Sequence, residues 1–316
     1  MHTKADSRKL DPEIEAVLDT LRGAPPMEAM TLQELRSSLV PVPLARRHCV
    51  GSTEDRVIHG EIPIRIYRPR VHRCDCLVIY FHGGGFVLGS VETHDHVSRL
   101  LCDIAGCTVM SVDYRLAPEH RFPAATDDCL AAVRWAGDNI DALAASPHEI
   151  ILFGDSAGAN LATVTTLRLR DEGGPRPGGQ VLVYPVTNYH TPPTQSYLDN
   201  ASGYSLTRAA MIRFWSDYLS DVGDALHPHA SPLRAADLSG LPPALIMTAE
   251  FDPLRDEGEA YAAKLGEHGV TVTVIRLDGM IHGFLRMAAA SVRARHAYDQ
   301  IANWIHAPRA QAGTRS

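Results

Sequence analysis

Apolar residues in this chain fall into short continuous runs that alternate with longer amphipathic stretches. Six runs rich in β-branched and aromatic residues predict strands at 76–81, 108–114, 149–153, 180–185, 244–249 and 272–277. Helix-length stretches lie between most of them, most clearly at 125–144 and 253–269, and a helical tail follows at 291–305. This alternation predicts an α/β fold, in which crossovers join parallel strands and helices cover both faces of an open sheet.

Two segments depart from the alternation. Residues 1–50 carry helical patterns broken by prolines, and residues 187–228 begin with a polar, proline-bearing loop and then become helical. Neither resembles an independent domain, so both are expected to form a cap over one end of the sheet. The predicted organisation is an N-terminal cap segment at 1–50, a main α/β domain at 51–186 and 229–307, a cap insertion at 187–228 and a flexible tail at 308–316.

Composition narrows the class of protein. The 316 residues can bury a large core, and 45% apolar and 21% charged residues are typical of a soluble globular chain. The net charge of −7 gives no sign of a nucleic-acid surface. No apolar run approaches the ~20 residues of a membrane span, and the first residues lack the apolar block of a secretory signal.

The number and spacing of the cysteines indicate the cellular compartment in which the protein works. Six cysteines at irregular spacings in a large chain favour reduced thiols and a cytoplasmic location over a disulfide framework. Cys74 and Cys76 alone are too few for a zinc site, so no metal is expected.

The segment GDSAGAN, centred on Ser156, follows a predicted strand and begins a predicted helix. A sharp strand-to-helix turn strains the serine backbone, and glycines at 154 and 158 let the neighbouring backbones pass closely. Ser156 would then lie above the sheet at the amino end of a helix, where the helix dipole favours developing negative charge. We therefore predict that Ser156 is a nucleophile.

A serine nucleophile requires a base and an acid that orients the base. The strand at 244–249 runs into Asp252-Pro253, which makes Asp252 the best candidate acid, with Glu250 and Asp256 as alternatives. The last predicted strand runs into DGMIHGF, which places His282 in the loop where the base belongs. Other late histidines lie in or beside helical stretches.

A run of three glycines predicts the remaining part of the machinery. His82, Gly83, Gly84 and Gly85 directly follow the strand at 76–81, and glycines leave backbone amides unshielded. With Ala157, the residue after the serine, the amides of Gly84 and Gly85 would form an oxyanion hole. The chain has no GxGxxG or GxxxxGK[ST] pattern, which disfavours a phosphate-binding loop.

These motifs resemble the hormone-sensitive-lipase-like branch of α/β-hydrolases, the bacterial family IV esterases. The resemblance rests on HGGGF, DYRLAPEHRFPAA, GDSAGAN, EFDPLRDEG and HGF, in that order over residues 76–284. It implies an eight-stranded, mostly parallel sheet with a helical cap, and a triad of Ser156, Asp252 and His282. It also implies no metal or organic cofactor and the possibility of a homodimer.

The chain is expected to be a serine carboxylesterase that hydrolyses short- to medium-chain carboxylic esters through an acyl-enzyme intermediate. An N- or O-acetyl hydrolase acting on a small metabolite is the alternative, and a non-catalytic ligand receptor is disfavoured because His282 is present in an intact HGF. Helical spacing would place Leu206, Met211 and Phe214 of the predicted cap on one helix face. There they would either pack in the core or form the wall of an acyl pocket. The candidate substrate-pocket residues are Phe86, Leu206, Met211, Phe214 and Ile281.

Overall fold

A computed structural model describes residues 9–41, 47–143 and 149–308 of the chain. These residues contain one sheet of eight strands: β1 Ser52–Ile58, β2 Ile62–Arg68, β3 Leu77–Phe81, β4 Thr108–Val112, β5 Ile150–Asp155, β6 Gly179–Val183, β7 Ala244–Phe251 and β8 Val272–Ile281. The strands are arranged in the order β1-β2-β4-β3-β5-β6-β7-β8. Strand β2 is antiparallel to both β1 and β4, and all other pairings are parallel.

The described residues form nine α-helices, several of which connect the parallel strands. They are α1 Pro12–Thr20, α2 Leu32–Ser38, α3 Asp95–Ala105, α4 Ala124–Asp138, α5 Ala157–Glu172, α6 Gln195–Asp199, α7 Arg208–Tyr218, α8 Arg255–Glu267 and α9 Val292–His306. The predicted α/β class with a mostly parallel eight-stranded sheet is confirmed. All six predicted strands are present, with ends that differ by a few residues from the prediction.

The prediction missed two strands and overextended one helix. β1 is largely exposed and mostly polar or charged, and β2 has charged residues among its apolar ones, so neither forms a continuous apolar run. The sequence pattern predicts one helix over 125–144, but α4 ends at Asp138. The Asn139 side chain then donates to the Trp135 carbonyl at 2.8 Å, and a short 3₁₀ turn follows at Ile140–Leu143.

The core occupies both faces of the sheet. Along β3, Leu77, Ile79 and Phe81 point into one apolar cluster, whereas Val78 and Tyr80 point into the other. Helices α4, α5 and α8 cover the first face, and α3 and α9 cover the second. Every β3 side chain is buried, so this strand lies in the centre of the core and carries the chain to the edge of the sheet where the glycine loop begins.

The segments outside the alternation lie in different places. Helix α1 lies along the edge strand β8, where the Asp11 amide donates to the Gly279 carbonyl at 3.0 Å. The segment around α2 instead contacts α7, since the Arg213 guanidinium donates to the Met27 carbonyl at 2.7 Å and to that of Met30. The cap insertion predicted at 187–228 contains α6 and α7.

Within the described part of the chain, no helix is both long and apolar enough to cross a membrane. The tail predicted at 308–316 lies outside the described residues except for Pro308.

Candidate active site

Ser156 lies at the turn between β5 and α5, with φ 55° and ψ −121°. This positive φ is strained for a residue with a side chain. A Cβ on Gly158 would overlap the Phe81 carbonyl, and one on Gly154 would overlap the Gly158 backbone. Glycine is therefore required on both sides of the turn, which brings Ser156 to the carboxyl edge of the sheet.

Three side chains from distant parts of the chain form one hydrogen-bonded series. His282 Nε2 lies 2.9 Å from Ser156 Oγ, and His282 Nδ1 lies 2.8 Å from Asp252 Oδ2. An ionised carboxylate only accepts hydrogen bonds, so Nδ1 carries the proton and Nε2 presents a lone pair to the serine hydroxyl. The structure thus brings together all three residues that the sequence predicts as nucleophile, base and acid.

Asp252 is fully buried, and its loop is held from two sides. Its second oxygen accepts a hydrogen bond from the Leu254 amide at 2.8 Å. From the end of α6, the Asn200 side chain donates to the Asp252 carbonyl at 3.1 Å. The Ser196 hydroxyl donates to the Pro253 carbonyl at 2.7 Å.

The alternative acids make other contacts. The Glu250 carboxylate accepts a hydrogen bond from the Gly279 amide at 2.7 Å and so supports β8. Asp256 accepts from the Ser196 amide at 2.7 Å and pairs with Arg255 at the start of α8. Each therefore fixes a neighbouring backbone segment, and Asp252 is the carboxylate that meets His282.

The glycine loop after β3 follows a course that requires glycine. A Cβ on Gly84 would overlap the Leu88 carbonyl, and one on Gly85 would overlap the Phe214 ring. Among the hydrogen bonds of the described residues, none is donated by the Gly84 or Gly85 amide. Ala157 is the first residue of α5, so its amide has no intrahelical acceptor. These three amides are consequently available to an oxygen of a bound molecule.

Asp155 links the serine turn to the glycine loop, a contact that the sequence motifs do not reveal. Its Oδ1 accepts hydrogen bonds from the Gly83 amide at 2.9 Å and from the Tyr80 hydroxyl at 2.7 Å. The Tyr184 hydroxyl donates to Oδ2 at 3.3 Å. One buried carboxylate therefore fixes the spacing between the two parts of the site.

His82 is a buried support of the glycine loop. Its ring stacks between Tyr114, with ring centroids 4.4 Å apart, and His94, with centroids 5.1 Å apart. The Tyr114 hydroxyl also donates to the His82 carbonyl at 2.6 Å. Burial lowers the pKa of the His82 imidazole, although the Asp113 carboxylate opposes that shift. A neutral ring in this position can fix the loop without adding charge to the site.

The candidate pocket residues are all buried, but they do not all lie on the same side of the sheet. Phe214 of α7 rests on Gly85, and Phe86 stacks on Tyr218 with ring centroids 3.8 Å apart. Leu206 and Met211 belong to the same apolar cluster as these aromatic residues. Ile281, at the end of β8, belongs to the cluster on the other face.

Two further residues next to the site carry no motif. The Tyr184 ring packs against the His282 ring with centroids 4.5 Å apart. Buried Glu257, in α8, accepts hydrogen bonds from the Thr187 amide at 2.8 Å and from the Asn188 amide at 3.3 Å. Burial raises the pKa of this carboxyl to about 8. The position of Tyr184 at a strand end was a usable signal, whereas nothing in the sequence distinguishes Glu257 from other helix carboxylates.

The central parallel sheet, the strained serine turn after β5 and the later carboxylate and histidine loops define the α/β-hydrolase class. The family described as alpha/beta hydrolase fold matches residues 78–286, and this chain belongs to it. This match confirms the resemblance seen in the motifs.

Sequence relatives and solved structures extend the match beyond the motifs. The arylesterase of Saccharolobus solfataricus is 41% identical over 87% of this chain and 92% of its own. The ethyl acetate hydrolase of Pseudomonas putida is 35% identical over 89% and 93%. The structure of a hyperthermophilic esterase from the archaeon Pyrobaculum calidifontis is 45% identical, with a TM-score of 0.89 over 94% of this chain and 98% of that one.

Proposed function

We propose that this chain hydrolyses short- to medium-chain carboxylic esters through an acyl-enzyme on Ser156. The observation that carries the proposal is the hydrogen-bonded series in which His282 joins Ser156, at 2.9 Å, to buried Asp252, at 2.8 Å. Relatives named arylesterase and ethyl acetate hydrolase, which this chain resembles over most of its length, support ester hydrolysis.

The proposed reaction has two similar halves. His282 Nε2 takes the Ser156 proton as Oγ attacks the ester carbonyl, and Asp252 stabilises the imidazolium through Nδ1–H. The new oxyanion accepts hydrogen bonds from the amides of Gly84, Gly85 and Ala157, each worth about 3–4 kcal/mol of barrier. His282 then gives its proton to the leaving alcohol oxygen, the C–O bond breaks, and water repeats the steps to release the acid.

We further propose that the pocket residues Phe86, Leu206, Met211, Phe214 and Ile281 limit the acyl chain. Phe214 supports this role best, because its ring covers Gly85 next to the proposed oxyanion hole. The division into cap segments at 1–50 and 187–228 over a catalytic domain at 51–186 and 229–307 belongs to the same proposal. The contact of α7 with the segment around α2 supports it.

Location and assembly are also proposals. None of the six cysteines, all of which lie in the described residues, forms a disulfide, and this agrees with a reducing, cytoplasmic environment. β8 is an edge strand with the apolar side chain of Val274 half exposed, which suits pairing of two copies into a homodimer. Light scattering after gel filtration tests that assembly.

A Ser156→Ala variant tests the nucleophile. With the attacking oxygen removed, kcat on p-nitrophenyl acetate should fall by about 10⁴-fold or more. A fluorophosphonate should add its mass to the wild type and not to the variant, as read by mass spectrometry. Turnover close to that of the wild type in Ser156→Ala would refute the assignment.

A substrate panel tests the substrate class. We expect kcat/KM for p-nitrophenyl esters to fall sharply beyond medium acyl chains, because the buried Phe214 ring occupies space beside Gly85, next to the proposed oxyanion hole. The matched p-nitroanilides should react far more slowly than the esters. A preference for anilides would instead identify an acetyl-amide hydrolase that uses the same residues.

A further inference from the structure

Three cysteines meet at the edge of the sheet opposite the serine. Cys76 immediately precedes β3, and Cys107 immediately precedes β4. These strands are parallel neighbours with Leu77 paired to Thr108, so the two cysteines occupy adjacent positions across the pair. Cys74 lies two residues before Cys76 and completes the group. The sequence shows Cys74 and Cys76 together, but only the strand register brings in Cys107.

The three sulfur atoms are close enough to share one ion. All three Sγ atoms lie within 4.8 Å of one another, and those of Cys74 and Cys76 are 2.6 Å apart. A tetrahedral Zn²⁺ with Zn–S bonds of about 2.3 Å separates its sulfur ligands by about 3.8 Å. A modest outward shift of Cys74, which is only half buried, would lengthen its sulfur distance to buried Cys76 toward that value.

The backbone around the thiols is fixed before any ion binds. The Arg73 amide donates to the Gly106 carbonyl at 2.9 Å and so ties the Cys74 segment to the Cys107 segment. His306, the last residue of α9, lies with Nε2 2.7 Å from the Ala105 carbonyl. A site held from two sides in this way loses little conformational entropy when it binds a ligand.

Two other buried cysteines, Cys102 and Cys129, differ from this group because each packs alone among apolar side chains. Cys102 lies in α3 and Cys129 in α4. Neither belongs to a group of three potential metal ligands in the described part of the chain. Isolated buried thiols behave as small apolar residues, whereas three thiols at one point are the donor set of soft and borderline cations.

We propose that Cys74, Cys76 and Cys107 bind a thiophilic closed-shell cation, with Zn²⁺ as the probe ion, at the amino-terminal edge of the sheet. Water completes the tetrahedron on the side where Cys74 is exposed. From Cys76 to His82 the chain runs along β3 for about 20 Å, so the ion takes no part in the ester reaction. Its effect is on stability, because it cross-links the entries of two central strands.

Zinc titration of the full-length chain tests the proposal. The protein is stripped with a chelator, kept reduced with a phosphine and titrated with ZnCl₂ in competition with a chromogenic chelator. We expect one tight site per chain and a melting temperature that rises with zinc. Cys74→Ser and Cys107→Ser should each weaken that site by about 100-fold or more, and Cys102→Ser should leave it unchanged.

Cobalt supplies a spectroscopic check, because Co²⁺ bound to thiolates gives a ligand-to-metal absorption band that Cys74→Ser would reduce. Cys74 is half buried, so its variant keeps the test valid if Cys107→Ser fails to fold. Equal zinc affinity in the wild type and Cys74→Ser would overturn the proposal. A Cys74–Cys76 disulfide that persists under the reducing conditions and excludes zinc would overturn it as well.

Discussion

At the scale of a single residue, the Asp155 carboxylate determines how the serine turn and the glycine loop face each other. It is buried and accepts hydrogen bonds from the Gly83 amide, the Tyr80 hydroxyl and the Tyr184 hydroxyl. Its neighbour Ser156 points the other way, toward His282. Asp155 is thus a positioning residue, because it acts on the proposed chemistry only through the loop that it holds.

An Asp155→Asn variant should lower kcat by about 10- to 100-fold with little change in KM, because a loop misplaced by about 1 Å costs up to about 100-fold in rate. Steady-state kinetics on p-nitrophenyl acetate measure both constants. Tyr80→Phe is the matched control, since it removes one donor and leaves the carboxylate on Gly83. Equal kcat values for the two variants would show that Asp155 does not position the loop.

At the scale of elements, the site depends on how closely α5 approaches β3. Gly158, in the first turn of α5, lies so near the Phe81 carbonyl that a side chain would overlap it. The approach places the amino end of α5, with the Ala157 amide, next to the glycine loop that leaves β3. Close packing of one helix on one strand therefore brings together the two halves of the proposed oxyanion hole.

Gly158→Ala should destabilise the fold by about 1–3 kcal/mol, because the added methyl group forces α5 away from β3. The same shift should remove most esterase activity. Gly266→Ala in α8 is the control, since nothing lies within 4 Å of its added methyl group. That variant should keep full activity and gain up to about 1 kcal/mol from helix propensity. Urea unfolding measures both, and a Gly158→Ala protein as stable as the control would contradict the packing argument.

At the scale of the whole molecule, Glu257 links the sheet side of α8 to the segment that enters the proposed cap insertion. Its carboxyl is fully buried and accepts from the Thr187 and Asn188 amides. Burial raises its pKa from 4.5 to about 8, so the folded chain holds this proton where the unfolded chain has released it. Folding stability from this group is therefore full below about pH 4.5 and declines as the pH rises toward 8.

The difference in unfolding free energy between wild type and Glu257→Gln should fall by about 1.4 kcal/mol per pH unit between pH 5 and pH 8. Glutamine has the shape of the protonated carboxyl and cannot titrate. Urea unfolding at four pH values measures the slope. Glu259→Gln, on the more accessible side of α8 beside Arg276, should follow the wild-type slope. Parallel curves for the wild type and Glu257→Gln would contradict the prediction.

The sequence predicted the parts of this molecule whose causes are local. Apolar runs identify buried parallel strands, and the residues around Ser156 identify a turn that only glycines permit. The pattern of apolar runs does not predict strand β1, because its largely exposed, charged sequence contains no such run. The contacts of Asn200 and Cys107 could not be predicted from the sequence for a different reason. Their contacts with the Asp252 loop and with Cys74 depend on chain segments that meet only after folding.

The grip of the α6 segment on the Asp252 loop has a consequence for protein engineering. Asn200 and Ser196 belong to the proposed cap insertion, yet their side chains donate to backbone carbonyls from Glu250 to Pro253, before and after the acid. A chimera that exchanged the complete insertion for that of another esterase would loosen the Asp252 carboxylate while it replaced the proposed acyl-pocket residues. Grafting should therefore begin after residue 200 and replace α7 alone. A new acyl preference could then be acquired without disturbing the hydrogen bonds that join Asp252, His282 and Ser156.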